Sequence, residues 1–195
     1  MTSVDAAAWS MRIVFVGLLL YVCVTDSRER RIPNAACVIG LFAALVWHGL
    51  TGPGSGLFSA SDAGALGLTS SLLGALAAFA LFLALHLIRV MGAGDVKLMG
   101  MLGAWFGLSS VPELVLSVFL AGGALVVARI AFGVSARSVG ANLRTIVAGL
   151  RPAGWGASAE PPARFDPRVD TADRMPYAWA LAMGAIALAA RDYLA

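Results

Sequence analysis

Six apolar blocks, separated by connections that carry arginine, proline and glycine, constrain this chain more than any other feature of it. They fall at about residues 8 to 25, 34 to 50, 63 to 89, 96 to 111, 113 to 133 and 176 to 194. A hydrocarbon core about 30 Å thick is crossed by roughly 20 apolar helical residues. Within lipid, a spanning backbone must satisfy its own hydrogen bonds, which favours helices here. The pattern predicts an all-α polytopic membrane protein with six transmembrane helices, forming a single membrane-embedded domain over residues 1–195. Composition agrees: 59% of residues are hydrophobic and 13% charged, against about 25% charged in soluble domains. The third block is long enough to tilt. The short fourth ends at Ser109-Ser110-Val111-Pro112, where proline favours a new helix start and a tight turn is expected.

Charge orients the blocks. Arg28, Arg30 and Arg31 follow the first, Arg89 and Lys97 flank the connection after the third, and Arg137, Arg144, Arg151, Arg164, Arg168 and Arg174 lie between the fifth and sixth. Residues 51–62 carry no Lys or Arg. Positive-inside logic places the three basic connections in the cytoplasm and both ends of the chain outside it. Arg12 and Arg191 are the two basic residues left near the outer termini. The basic residues thus read as membrane anchors in contact with lipid, and not as a nucleic-acid footprint, which would need one contiguous patch. The first block lacks a basic start and a clear cleavage site, so it reads as a retained span.

The 134–174 connection is too long to be a plain loop. Val139, Leu143, Ile146, Val147 and Leu150 share an arc of about 100° at helical periodicity, while Arg137, Arg144 and Arg151 lie on the other side. This predicts a basic amphipathic helix in the cytoplasmic headgroup region. The rest, from Pro152 through Pro167, reads as loop. Gly67 and Gly74 in the third block, and Gly122 and Gly123 in the fifth, read as sites of close helix contact.

Little here points to metal or cofactor chemistry. Cys23 and Cys37 lie in apolar blocks without CxxC spacing and read as small packing residues. His86 has no carboxylate or thiol at metal-ligand spacing, which leaves packing or an interfacial hydrogen bond. No metal and no cofactor are expected.

Two acids stand out instead. Asp26 follows the first block and Asp95 begins the fourth, so the predicted topology puts both at the cytoplasmic end although they are 69 positions apart. An ionisable residue beside a membrane span is a functional candidate. Each also has a plain structural reading, Asp26 as the partner of a nearby arginine and Asp95 as a helix cap. Their surroundings carry further signals. Gly92-Ala93-Gly94 gives backbone freedom ahead of Asp95, Pro33 is suited to starting the second helix, and Lys97, two positions past Asp95, points to another face of its helix.

The runs Asp26-Ser27-Arg28-Glu29-Arg30-Arg31-Ile32-Pro33-Asn34 and Gly92-Ala93-Gly94-Asp95-Val96-Lys97-Leu98 resemble those of the prepilin peptidases, membrane aspartic proteases of the GxGD type. Arg174-Met175-Pro176-Tyr177-Ala178 is a weaker third match, to the proline-aromatic start of the family's last helix, and the resemblance covers most of the chain. It implies an aspartic-type endopeptidase in the bacterial cytoplasmic (inner) membrane, cleaving the leader of type IV prepilins or pseudopilins at the cytoplasmic face. Asp26 and Asp95 carry over as its catalytic pair, with Gly92, Gly94, Lys97, Pro33 and Asn34 as supporting motif residues. The early first span and the short Asp26 to Asn34 connection resemble the short peptidases of tight-adherence (Flp) pilus systems, which implies no N-methyltransferase activity. Two other readings compete: an ion- or proton-coupled transporter, whose acids would sit nearer mid-membrane, and a noncatalytic pilus assembly protein.

Overall fold

The computed structural model describes residues 3–60, 62–89, 91–131 and 177–194. Among them run six α-helices: α1 Ser3–Glu29, α2 Asn34–Leu50, α3 Leu68–Leu87, α4 Ala93–Phe106, α5 Val111–Ala131 and α6 Tyr177–Leu194. A 3₁₀ turn, Leu108–Ser110, makes the expected tight link between α4 and α5. The described residues contain no strand, only an isolated bridge between Pro53 and Ala65. The chain divides into two compact units, Met1–Gly123 with Pro176–Ala195, and Ala124–Met175. The predicted amphipathic helix within 134–174 lies outside the described residues.

The fold is all-α, and three stretches are long and apolar enough to cross a membrane: Ala6–Glu29, Leu68–Leu87 and Leu108–Ala128. Of the other helices, α2 has 17 residues and α4 has 14, while α6 ends near the charged pair Arg191-Asp192. Two boundaries move in an informative way. The first helix does not stop before Asp26 but continues to Glu29, and the third begins only at Leu68, the described residues between α2 and α3 forming no helix.

Contacts at the helix ends show that successive helices of the first unit alternate in direction. At one end Lys97 of α4 reaches Asn34 of α2, and the start of α6 meets the end of α1 through Ala178 and Asp26. At the other, His48 of α2 bridges two backbone groups. Its Nδ1 accepts from the Leu66 N–H at 3.1 Å, which leaves Nε2–H to donate to the Trp105 carbonyl at 3.3 Å.

The two basic residues assigned to this second end have structural work there. Arg12 donates to the carbonyls of Leu57 (2.9 Å) and Ser59 (2.6 Å) and lies over the rings of Trp9 and Tyr193. Arg191 pairs with Glu113 of α5.

The core is built around α4. Every residue from Asp95 to Phe106 except Lys97 is buried, as expected of a helix apolar on all sides. It packs most extensively on α3, and also on α2 and α6. At the α3–α4 crossing, a Cβ placed on Gly74 would lie 2.4 Å from the Gly103 carbonyl oxygen, so the two backbones are in direct contact. Of the other glycines expected to serve close packing, Gly122 faces Ala180 at ordinary distance and Gly123 faces open space. Gly67 serves a different purpose: it adopts φ +88° just before α3, a conformation suited to glycine. Outside the core, α1, α2, α3 and α5 expose large apolar side chains such as Leu20, Phe42, Leu76 and Leu120, a surface suited to lipid.

Candidate active site

The site forms where the end of α1 meets the starts of α2, α4 and α6. Asp26 lies in the last turn of α1, and its Oδ2 accepts the Ala178 N–H at 3.3 Å. Ala178 is the second residue of α6, where N–H groups have no partner within the helix and the helix dipole favours negative charge. Neighbouring bonds fix this meeting. Ser27 Oγ donates to the Cys23 carbonyl at 2.8 Å and accepts from Trp179 Nε1 at 2.8 Å, and Cys23 Sγ approaches the Ala178 carbonyl at 3.6 Å. The chain then turns at Arg30, whose φ is 54° and whose N–H bonds the Asp26 carbonyl.

After that turn Ile32 passes over the start of α4. A Cβ added to Gly94 would meet the Ile32 side chain at 3.2 Å, so glycine permits the approach. Pro33 precedes α2 with extended backbone, and Asn34 is the first helical residue. Lys97 Nζ donates to Asn34 Oδ1 at 2.8 Å. The lysine therefore joins the two motif segments, an attachment that its spacing from Asp95 alone did not reveal.

Asp95 is the third residue of α4 and only 7% exposed. Its Oδ2 accepts the Gly92 N–H at 3.1 Å, the carboxylate half of a capping box. A Cβ on Gly92 would lie 3.2 Å from that same oxygen, so any larger residue would crowd it. The cap assignment for Asp95 is thus correct as far as it goes, and it leaves Oδ1 uncommitted by this bond. Asp26 and Asp95 stand at the same end of the bundle, where the residues after α1 pack on the start of α4, so the fold brings to one end two acids that are remote in sequence.

The sequence matches the type IV leader peptidase family over residues 13–127. The chain belongs to that family. No curated protein and no solved structure matches it. The matched span holds Asp26, Asp95 and all five supporting motif residues, so the peptidase carries both of its acid-bearing segments within the family's own bounds. The weaker third motif is described only from Tyr177 onward, and Arg174, Met175 and Pro176 lie outside the described residues.

Hydrolysing a peptide bond calls for a base to activate water and an acid to protonate the reacting groups. The peptidase has two carboxyl groups at one end of its bundle, each held by a backbone N–H. The sequence carries no sign of those N–H donors: Gly92 reads as a flexible residue and Ala178 as part of the start of the last helix, and a backbone donor has no residue signature. The Ser27–Trp179 bond likewise had no sequence signal. His86, read as a packing or hydrogen-bonding residue, bonds through Nδ1 to the Met91 carbonyl at 2.8 Å.

Proposed function

We propose that the peptidase is an aspartic endopeptidase using Asp26 and Asp95 to remove the N-terminal leader of type IV, Flp-like prepilins or pseudopilins. The observation that carries this reading is the placement of two carboxyl groups at one end of the bundle, Asp26 in the last turn of α1 and Asp95 in the first turn of α4, each accepting a backbone N–H. Two carboxyls that meet across a scissile bond resist ionising together, so in this reading the working pair holds one proton between them. The ionised member takes a proton from water as the water oxygen attacks the scissile carbonyl carbon. The protonated member donates to the carbonyl oxygen, giving a neutral gem-diol. Its collapse breaks the C–N bond, with a proton passing to the departing amine. Water is the nucleophile, and no acyl-enzyme forms.

All six helices cross the bacterial inner membrane in this reading, and the acid-bearing end faces the cytoplasm. Arg28, Arg30, Arg31, Arg89 and Lys97 cluster by sequence around that end, which supports the orientation. The substrate presents a basic leader followed by an apolar helix, which lies against the exposed apolar faces of the bundle. Hydrolysis without methyl transfer is supported by the four-residue connection between α1 and α2 and by burial of both described cysteines. Transport is disfavoured because both acids stand at helix ends.

The test is co-expression with a candidate prepilin, following the size shift for wild type, Asp26→Asn and Asp95→Asn. Both variants should insert into the membrane normally and leave the leader uncut. Processing at the wild-type rate by either one would overturn the assignment, and normal pilus assembly with both aspartates replaced would favour the noncatalytic reading.

A further inference from the structure

The peptide unit joining Met91 to Gly92 is gripped from both sides. Its N–H donates to Asp95 Oδ2 at 3.1 Å, and its carbonyl oxygen lies 2.8 Å from His86 Nδ1. A carbonyl can only accept, so Nδ1 carries a proton, and it does so in both the neutral tautomer and the imidazolium. The two hydrogen bonds are therefore consecutive: imidazole N–H to peptide oxygen, then peptide N–H to carboxylate. The peptide is planar and conjugated, so a donor at its oxygen draws electron density from its nitrogen and makes the N–H a stronger donor.

The local fold supports this link. His86 is in the last turn of α3, and the chain reverses at Arg89, which has φ 62° and donates its N–H to the His86 carbonyl at 2.9 Å. The side chain and the main chain of His86 thus both secure the α3–α4 connection that delivers Gly92 to Asp95. We propose that His86 is a positioning residue for Asp95, orienting and polarising the Met91–Gly92 peptide that both side chains hold. The inference rests on the reading of Asp95 as a catalytic group.

The experiment measures kcat, KM and the pH–rate profile of leader cleavage by the detergent-solubilised full chain, for wild type, His86→Leu, His86→Asn and Asp95→Asn. Asparagine places an amide N–H close to the position of Nδ1, and leucine offers no donor. His86→Leu should lose about tenfold in kcat with KM held within about twofold, as expected of a misplaced catalytic group. Its profile should move to higher pH by about 0.3 unit, because a weaker donor stabilises the carboxylate less. His86→Asn should come within about twofold of wild type and keep the wild-type profile.

The other charged and titratable groups placed at this end are Cys23, Asp26, Arg28 and Glu29 on α1, Arg30 and Arg31 after it, Cys37 on α2, Arg89 after α3, Lys97 on α4 and Tyr177 at the start of α6. None of these is altered in the His86 variants, and His86→Leu and His86→Asn both remove the imidazole's own titration, so a profile displaced in His86→Leu alone reports on the peptide link. An unmoved profile for His86→Leu, or an equal defect in His86→Asn, overturns the proposal. If His86→Leu does not accumulate, His86→Gln, whose amide extends past the Nδ1 position, is compared with His86→Asn by the same criteria. An active Asp95→Asn would refute the catalytic assignment itself, whereas an inactive Asp95→Asn beside a normal His86→Leu would refute only the role of His86.

Discussion

Gly74→Ala should damage stability and activity together, through a single methyl group. The added Cβ would lie 2.4 Å from the Gly103 oxygen and 2.6 Å from the Gly107 carbonyl carbon, both backbone atoms that no rotamer change can move. Ordinary contact begins near 3.4 Å, so α3 and α4 must part by about 1 Å or deform. Forced overpacking of this kind costs about 1–3 kcal/mol. Because α4 also carries Asp95, a shift of about 1 Å at the reacting atoms lowers the rate on the order of 100-fold. Gly103→Ala should behave alike, since its Cβ would lie 2.3 Å from the Gly74 oxygen. Gly123→Ala is the control: nothing lies within 4 Å of the added atom, and alanine is the better helix former by up to about 1 kcal/mol. Thermal unfolding in detergent and prepilin cleavage are read on all three. Wild-type stability and cleavage in both Gly74→Ala and Gly103→Ala would refute the claim that backbone contact sets the position of α4.

Other perturbations separate the parts of the site. Ala178→Pro removes the N–H that holds Asp26 at a position in the first helical turn, where proline is tolerated; cleavage should fall at least about tenfold with little change in unfolding temperature. A double-mutant cycle on Asn34→Ala and Lys97→Ala, read by thermal unfolding, should give a coupling of about 0.5–1 kcal/mol, typical of an exposed polar pair; no coupling would remove this link from the site. His48→Leu leaves the Leu66 N–H and the Trp105 carbonyl without their partner, which should destabilise the fold by about 2–4 kcal/mol, while cleavage at permissive temperature stays within a few-fold because the change lies at the opposite end of the bundle.

Both acids were legible in the sequence because ionisable groups beside apolar spans are expensive and their flanking motifs are specific. The alternation of helix directions was legible for the same electrostatic reason, through the distribution of arginine. Helix ends were less so. Asp26 sits one turn inside α1 because polar residues continue the helix past the apolar block, and hydropathy does not register that extension. Lys97 looked like a surface anchor since i, i+2 spacing says only that it leaves the face of Asp95, and its partner Asn34 comes from another helix. The equal expectation for four glycines failed at Gly67 and Gly123 because the sequence gives composition and period, whereas close contact depends on which faces meet.

The shortness of α4 also bears on how water reaches the acids. Fourteen residues at 1.5 Å each span about 21 Å, well under the roughly 30 Å of a hydrocarbon core. A helix sheathed by α2, α3 and α6 escapes the mismatch that lipid would impose, so its ends are free to stop below the bilayer surface. At the Trp105 end the deficit is filled by protein: Leu57 and Phe58, between α2 and α3, are buried, and Phe58 stacks on Phe106. At the Asp95 end the helix opens on the exposed Gly92 and Ala93. In the proposed membrane placement the rest of the deficit falls at this end, the one at which a hydrolase needs its water.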